Sequence, residues 1–299
     1  MGANLQLVFT ALSSGSIYAL AAVGFTFLFA TGRYLNFGHG DWAMFSGMSA
    51  AALVGARLGI IAGAIAAPVT GALIAFVAYE ALLRRSRSRD PLTIALILLA
   101  FGLMLQGIAL LLWGSQAVGI SAFAAYPPLR ISGAVITAIV MVIVGVTTIT
   151  LLGVTALIRL TKLGRSMMAW AENPEGAALC GIDVHRVLVV SFVLAGALAG
   201  IAGFLTLSLT GLSFQSGLLV TTKAFGAAAV GGFTSPTRAV LGGLLIGLVE
   251  SSVGTYIGGD FGPVASLLVI FLLVIAGGRL RGKATEPGES DVLIDKANL

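Results

Sequence analysis

Thr161–Val187, TKLGRSMMAWAENPEGAALCGIDVHRV, is a polar, charged island in a chain that is otherwise almost continuously apolar. The runs on either side of it, Gly133–Ile158 and Val187–Thr210, are long enough to cross about 30 Å of hydrocarbon at about 1.5 Å per helical residue. A segment this polar stays in water between two such runs, so the chain is read as a succession of membrane crossings with exposed loops. Composition agrees. The 299 residues are 58% hydrophobic and 10% charged, with a mean hydropathy of +1.04, far from soluble usage, where roughly a quarter of residues are charged. Forty glycines fit helices that approach closely in lipid, and Gly196/Gly200 and Gly243/Gly247 have the spacing of packing seams.

Working outward, further runs cover Leu5–Thr31, Trp42–Ala56 (short), Ile60–Leu83, Leu92–Trp113, Ala239–Ile257 and Val264–Gly277. Met1–Gln6 lacks the basic start of a signal peptide, and Gln6 lacks the hydroxyl of a myristoylation signal, so the first run is expected to remain as a span. Basic residues cluster at Arg84, Arg85, Arg87 and Arg89, at Arg159, Lys162, Arg165 and Arg186, and at Arg279, Arg281 and Lys283. Such clusters mark cytosolic loops, so the formal charge of +5 is a topology signal and not a nucleic-acid footprint. This places Arg33 inside, the N-terminus outside and the C-terminus inside. Arg186 and Arg279 must then be separated by an even number of crossings. The missing one is assigned to Leu218–Phe233, a short or broken helix carrying Lys223, Gly226, Gly231 and Gly232. Irregular sequence also occurs at Leu35–Trp42, and paired Gly-interrupted segments in opposite halves point to an internal repeat around a translocation path.

Inside the island, Asn173 has the character of a helix cap, Pro174 suits a first turn, Glu175 follows, and Gly181 stops a short surface helix. Asp41 is expected to N-cap the second span, and Asn36 and His39 sit beside it at the membrane boundary. Glu250 is an ionisable group inside an apolar run, where charge is costly unless paired; its expected partner is Lys223. Arg57 and Glu80 lie near span ends, where their side chains reach water. Gly277–Ala284 approximates a phosphate-binding loop, but Ala284 stands where a Ser or Thr is needed and no soluble strand precedes it. With His39 and His185 as the two histidines and Cys180 as the one cysteine, no intramolecular disulfide, metal site, catalytic cluster or cofactor is expected.

The Asn36-Phe37-Gly38-His39-Gly40-Asp41 box, the island, and the late run through Lys223-Ala224-Phe225, Gly231-Gly232-Phe233, Gly242-Gly243-Leu244 and Glu250 resemble, in this order, the permease subunits of branched-chain amino acid ABC importers. The family box usually reads Asn-Phe-Ala-His-Gly-Glu, so Gly38 and Asp41 depart from it. The resemblance implies an all-α, polytopic transmembrane bundle of the type II ABC-importer kind: one transmembrane domain over residues 1–299, a cytoplasmic coupling loop at 159–186 and a cytoplasmic tail at 279–299. It implies that Gly164, Ala171, Glu172, Pro174, Ala178, Leu179 and Gly181 dock on an ATP-binding subunit. Asn36, His39, Asp41, Lys223, Phe225, Gly232 and Glu250 become pathway or gate residues. The implied partners are a second homologous permease, two cytoplasmic ATP-binding subunits, an extracytoplasmic binding protein and the lipid of a bacterial inner membrane. ATP hydrolysis belongs to the separate subunits. A permease for urea or short-chain amides resembles the same family. An ion-coupled carrier would need coupling carboxylates at mid-membrane, for which Glu250 is the one serious candidate.

Overall fold

The computed structural model describes residues 2–284 apart from 87–89, 122, 124–126, 132 and 234. Arg87, Arg89 and the tail from 285 lie outside the described residues. The helices are α1 (Gly2–Gly32), α2 (His39–Gly55), α3 (Ile60–Val77) with a π-helical turn (Ala78–Leu83), α4 (Pro91–Trp113), α5 (Ala138–Leu160), α6 (Lys162–Glu172), α7 (Pro174–Leu179), α8 (Val184–Leu209), α9 (Ser216–Val230), α10 (Pro236–Tyr256) and α11 (Phe261–Ala284). Among the described residues, six of these, counting α3 with its π-helical turn, are long and apolar enough to cross a membrane.

The elements start where local chemistry lets them. Asp90 accepts from the backbone N–H of Thr93 at 2.8 Å ahead of Pro91, and these bonds hold its carboxyl below the usual range. Asn173 caps α7 through Gly176 at 2.9 Å, and Gly181 has the left-handed φ of +78° that stops it. The expected span from Gly133 is corrected at its start: Leu129–Ile131 (β1) and Ala134–Ile136 (β2) form an antiparallel hairpin, and α5 begins after them. Residues 159–186 are likewise not a plain loop, since α6 precedes the short helix that was expected. From 279 the chain continues α11 to Ala284.

Small residues form the seams. A methyl group on Gly71 of α3 would overlap the backbone at Gly196 of α8, Gly200 meets Ala67, and Gly243 and Gly247 of α10 lie against Ala19 and Gly15 of α1. Where hydrocarbon removes the aqueous drive for association, such close approach supplies the attraction.

Two ends are distinct. At one, Trp170 of α6 bonds to Thr31 at the end of α1, His185 meets Glu80 at 3.0 Å, and Phe233 stacks on Phe29. This basic end collects Arg33, Arg84, Arg159 and Arg186. At the other end Gln6 accepts from the Val135 N–H at 2.8 Å, and Val118 pairs with Leu212. The short helices α2 and α9 fit neither end. His39 bonds to the carbonyl of Ala21, halfway along α1, so the chain re-enters the bundle after Arg33 and α2 starts at depth. The first turn of α9 lies against the first turn of α2, where a methyl group on Gly40 would overlap the Gly217 carbonyl. From this meeting point α2 runs to the hairpin end and α9 to the basic end. Of the two forms expected at 218–233, short or broken, the structure has the short one: α9 is one unbroken helix of 15 residues, about 22 Å long, and it is short because it starts inside.

Candidate functional site: two buried helix starts and an exposed helix pair

Arg33, with φ +56°, reverses the chain after α1. Asn36 then accepts from the Gly38 N–H at 3.1 Å, which shapes the turn into α2. Asp41 does not cap α2, contrary to expectation. The helix starts two residues earlier, Gly38 holds the cap position without a side-chain bond, and Asp41 falls in the first turn. Its carboxylate accepts from Gln106 of α4 at 2.7 Å and lies against Gly217 of α9. Two helix N-termini thus converge on one buried carboxyl group, whose negative end their dipoles favour. The Gly40 N–H donates to the Thr221 hydroxyl at 2.8 Å. Glycines at 38, 40, 102 and 217 allow this meeting, because a Cβ at any of them would collide with neighbouring backbone or with Asp41. Among the described residues, Asn36 Nδ2, His39 Nδ1 and Trp42 Nε1 are buried here without a hydrogen-bond partner, a rarity for buried polar atoms.

Toward the basic end an aromatic cluster lies beneath these starts. Phe225 of α9 has its ring centroid 5.7 Å from Phe25, 5.9 Å from Phe37 and 5.1 Å from Phe233. Gly232 and Phe233 both hold left-handed conformations, at φ +70° and +62°, and turn the chain from α9 toward α10. Phe233 is a bulky residue in a region that usually needs glycine.

Lys223 and Glu250 face a different side of α9. Lys223 Nζ donates to Glu250 Oε1 and to the Tyr18 hydroxyl, each at 2.7 Å, and that hydroxyl donates to Glu250 Oε2 at 2.9 Å. The ammonium also lies over the Tyr18 ring, 4.6 Å from its centre. Every charge in this triangle is matched, and it ties α9 to α1 and α10. Lys223 and Glu250 are thus apart from Asn36, His39 and Asp41 at the meeting of α2 and α9 and from Phe225, whose ring reaches Phe37 beside them, while Gly232 lies beyond the far end of α9.

The island residues divide in the same way. Gly164 is buried, and a side chain there would overlap Ile158 at the end of α5, so it seats α6. Ala171 is half-buried. Glu172, Pro174, Ala178 and Gly181 are exposed, and Leu179 projects from α7 with 90% of its surface free. Sequence reasoning missed Tyr18, Gln106, Thr221 and Trp170. Gln106 and Tyr18 are isolated polar groups in apolar runs, a signal that was available.

The family model described as "Branched-chain amino acid transport system / permease component" matches residues 7–277. The chain is 33% identical to the high-affinity branched-chain amino acid transport system permease protein LivH of Escherichia coli over 92% of this chain and 95% of LivH. It is 31% identical to the probable branched-chain amino acid transport permease protein LivH of Methanocaldococcus jannaschii, over 89% of each. Among solved structures it is similar to PsaBC from Streptococcus pneumoniae in complex with Fab, with a TM-score of 0.50 and 19% identity over 93% of this chain and 90% of that one. That likeness is one of fold, and it agrees with a polytopic helical permease. The chain belongs to the family of permease components of branched-chain amino acid transport systems, and it is a multi-pass membrane permease subunit of an ABC importer.

Proposed function

We propose that this permease carries branched-chain or related amino acids inward, with the basic end in the cytosol and the N-terminus outside. Its partners are a second homologous permease, two ATP-binding subunits that hydrolyse the ATP, and an extracytoplasmic binding protein that supplies most of the selectivity. The observation that carries the reading is Leu179: an almost fully exposed leucine at the end of α7, beside Ala178 and outside any span. An apolar knob on a polar surface helix suits a groove in a partner, and Glu172, Pro174 and Gly181 frame it. Within the bundle, Asn36, His39 and Asp41 on one side and Phe225 and Gly232 on the other form the gate. The aromatic rings are its plug, and the buried donors of Asn36 and Trp42 face the route of a small polar cargo. Lys223 and Glu250 hold α9 against α1 and α10 as it moves. Both oxygens of Glu250 are engaged by Tyr18 and Lys223, which leaves no free carboxylate there for ion coupling and argues against a secondary carrier.

The test is uptake of radiolabelled leucine, with urea in parallel, into proteoliposomes holding this chain and its partner subunits. ATP-dependent leucine uptake that is lost in Glu172→Ala/Gly181→Pro supports the reading. Uptake driven by an ion gradient without ATP-binding subunits overturns the class, and ATP-driven urea uptake without leucine uptake corrects the substrate.

A further inference from the structure

Trp170 lies near the C-terminus of α6 and donates its indole N–H to the backbone carbonyl of Thr31, 2.8 Å away. Thr31 belongs to the last turn of α1, where carbonyls have no intrahelical donor left to them. Directly beyond it, Arg33 reverses the chain and the segment to Gly38 enters the bundle, bringing Asn36 and His39 to the start of α2. The indole therefore grips the point from which the re-entrant segment springs. At its other end α6 is anchored: Thr161 accepts from the Gly164 N–H at 3.0 Å, and Gly164 sits on Ile158. Asn173 is the sole residue between α6 and α7. The Met167 side chain also packs into the core, but that contact is apolar and non-directional, whereas the indole bond fixes a direction.

We infer that Trp170 is a positioning residue that transmits displacement of the exposed helix pair to the gate. The inference rests on the coupling role proposed for α6 and α7. A shift of α7 is passed through Asn173 to α6, which is held at Thr161 and Gly164, so movement is greatest at the end that carries Trp170. From there it passes to Thr31, to the segment behind Arg33 and to the first turn of α2, where Asp41 and Gly40 meet α4 and α9. A residue that merely caps α1 would stabilise the permease without affecting how ATP is converted into transport.

The test measures leucine uptake and ATP hydrolysis in the same proteoliposomes of the complete transporter, for wild type and Trp170→Phe. A second replacement, Trp170 to benzothienylalanine, keeps the ring shape and removes the N–H alone, and it carries the test if the phenylalanine variant fails to assemble. Leucine taken up per ATP hydrolysed is expected to fall roughly five- to tenfold, the size expected from losing one buried hydrogen bond. In a Cys180→Ser background, nucleotide-dependent labelling of Phe37→Cys is expected to vanish in the same variants. An unchanged ratio and unchanged labelling, with wild type active, overturns the role of Trp170 and leaves the importer reading intact. Wild type that shows ATP-dependent uptake of neither leucine nor urea removes that reading itself.

Discussion

The Gly40 N–H and the Thr221 hydroxyl, 181 positions apart in the chain, are joined at 2.8 Å and lock the first turn of α2 to the second turn of α9 inside the bundle. Irregular backbone at membrane depth survives where protein or a water-filled path surrounds it. This bond satisfies a donor that the start of α2 leaves without an intrahelical acceptor. Thr221→Val keeps the shape and strands the buried N–H, so destabilisation of about 1–3 kcal/mol is expected. Thr221→Ser retains the hydroxyl and most of the stability. Thermal unfolding in detergent measures both, and equal midpoints for the valine variant and wild type would refute the bond's contribution.

The triangle of Tyr18, Lys223 and Glu250 predicts a non-additive pattern. Lys223→Met leaves the Glu250 carboxylate buried without its cation, and destabilisation of about 3–5 kcal/mol is expected. Lys223→Met/Glu250→Leu removes both charges and regains most of that loss, because replacing a whole buried pair with apolar groups is often neutral. A double-mutant cycle read by unfolding midpoint checks this. Additive losses would mean that the two charges act independently.

Phe225 touches Phe25, Phe37 and Phe233 at once, which makes it the centre of the aromatic cluster proposed as the plug. Phe225→Ala is expected to raise leucine leak without ATP several-fold, while Phe225→Leu, which keeps most of the volume, leaks less. Efflux from loaded proteoliposomes lacking ATP measures the difference. A tight bilayer in the alanine variant would remove Phe225 from the gate.

The spans were legible because hydrocarbon imposes one rule on every helix, and the Lys223–Glu250 pairing because an intramembrane charge demands a partner. Asn173-Pro174 marked α7 through local capping chemistry alone. What local reading missed was contact between distant segments. A short run such as Trp42–Ala56 looks like a marginal crossing until Gly40 is seen against Gly217, and the start of α9 depends on the same meeting. Asp41 resembled a cap since it precedes an apolar run, but its hydrogen-bond donor, Gln106, lies on α4. α6 went unnoticed because its polar residues hide a buried side made by Gly164 and Met167. The hairpin before α5 is rich in β-branched residues that suit a strand and an apolar span equally well.

The coupling role proposed for the exposed helix pair has its most direct test at Cys180, which follows Leu179 and is free and exposed. A membrane-impermeant maleimide is added to the cytosolic side of vesicles containing the chain with or without its ATP-binding subunits, and labelled peptide is quantified by mass spectrometry. Ready labelling is expected for the chain without those subunits, and strong protection once they are assembled. Equal labelling in both states, or labelling solely from the outer side, would contradict the coupling role.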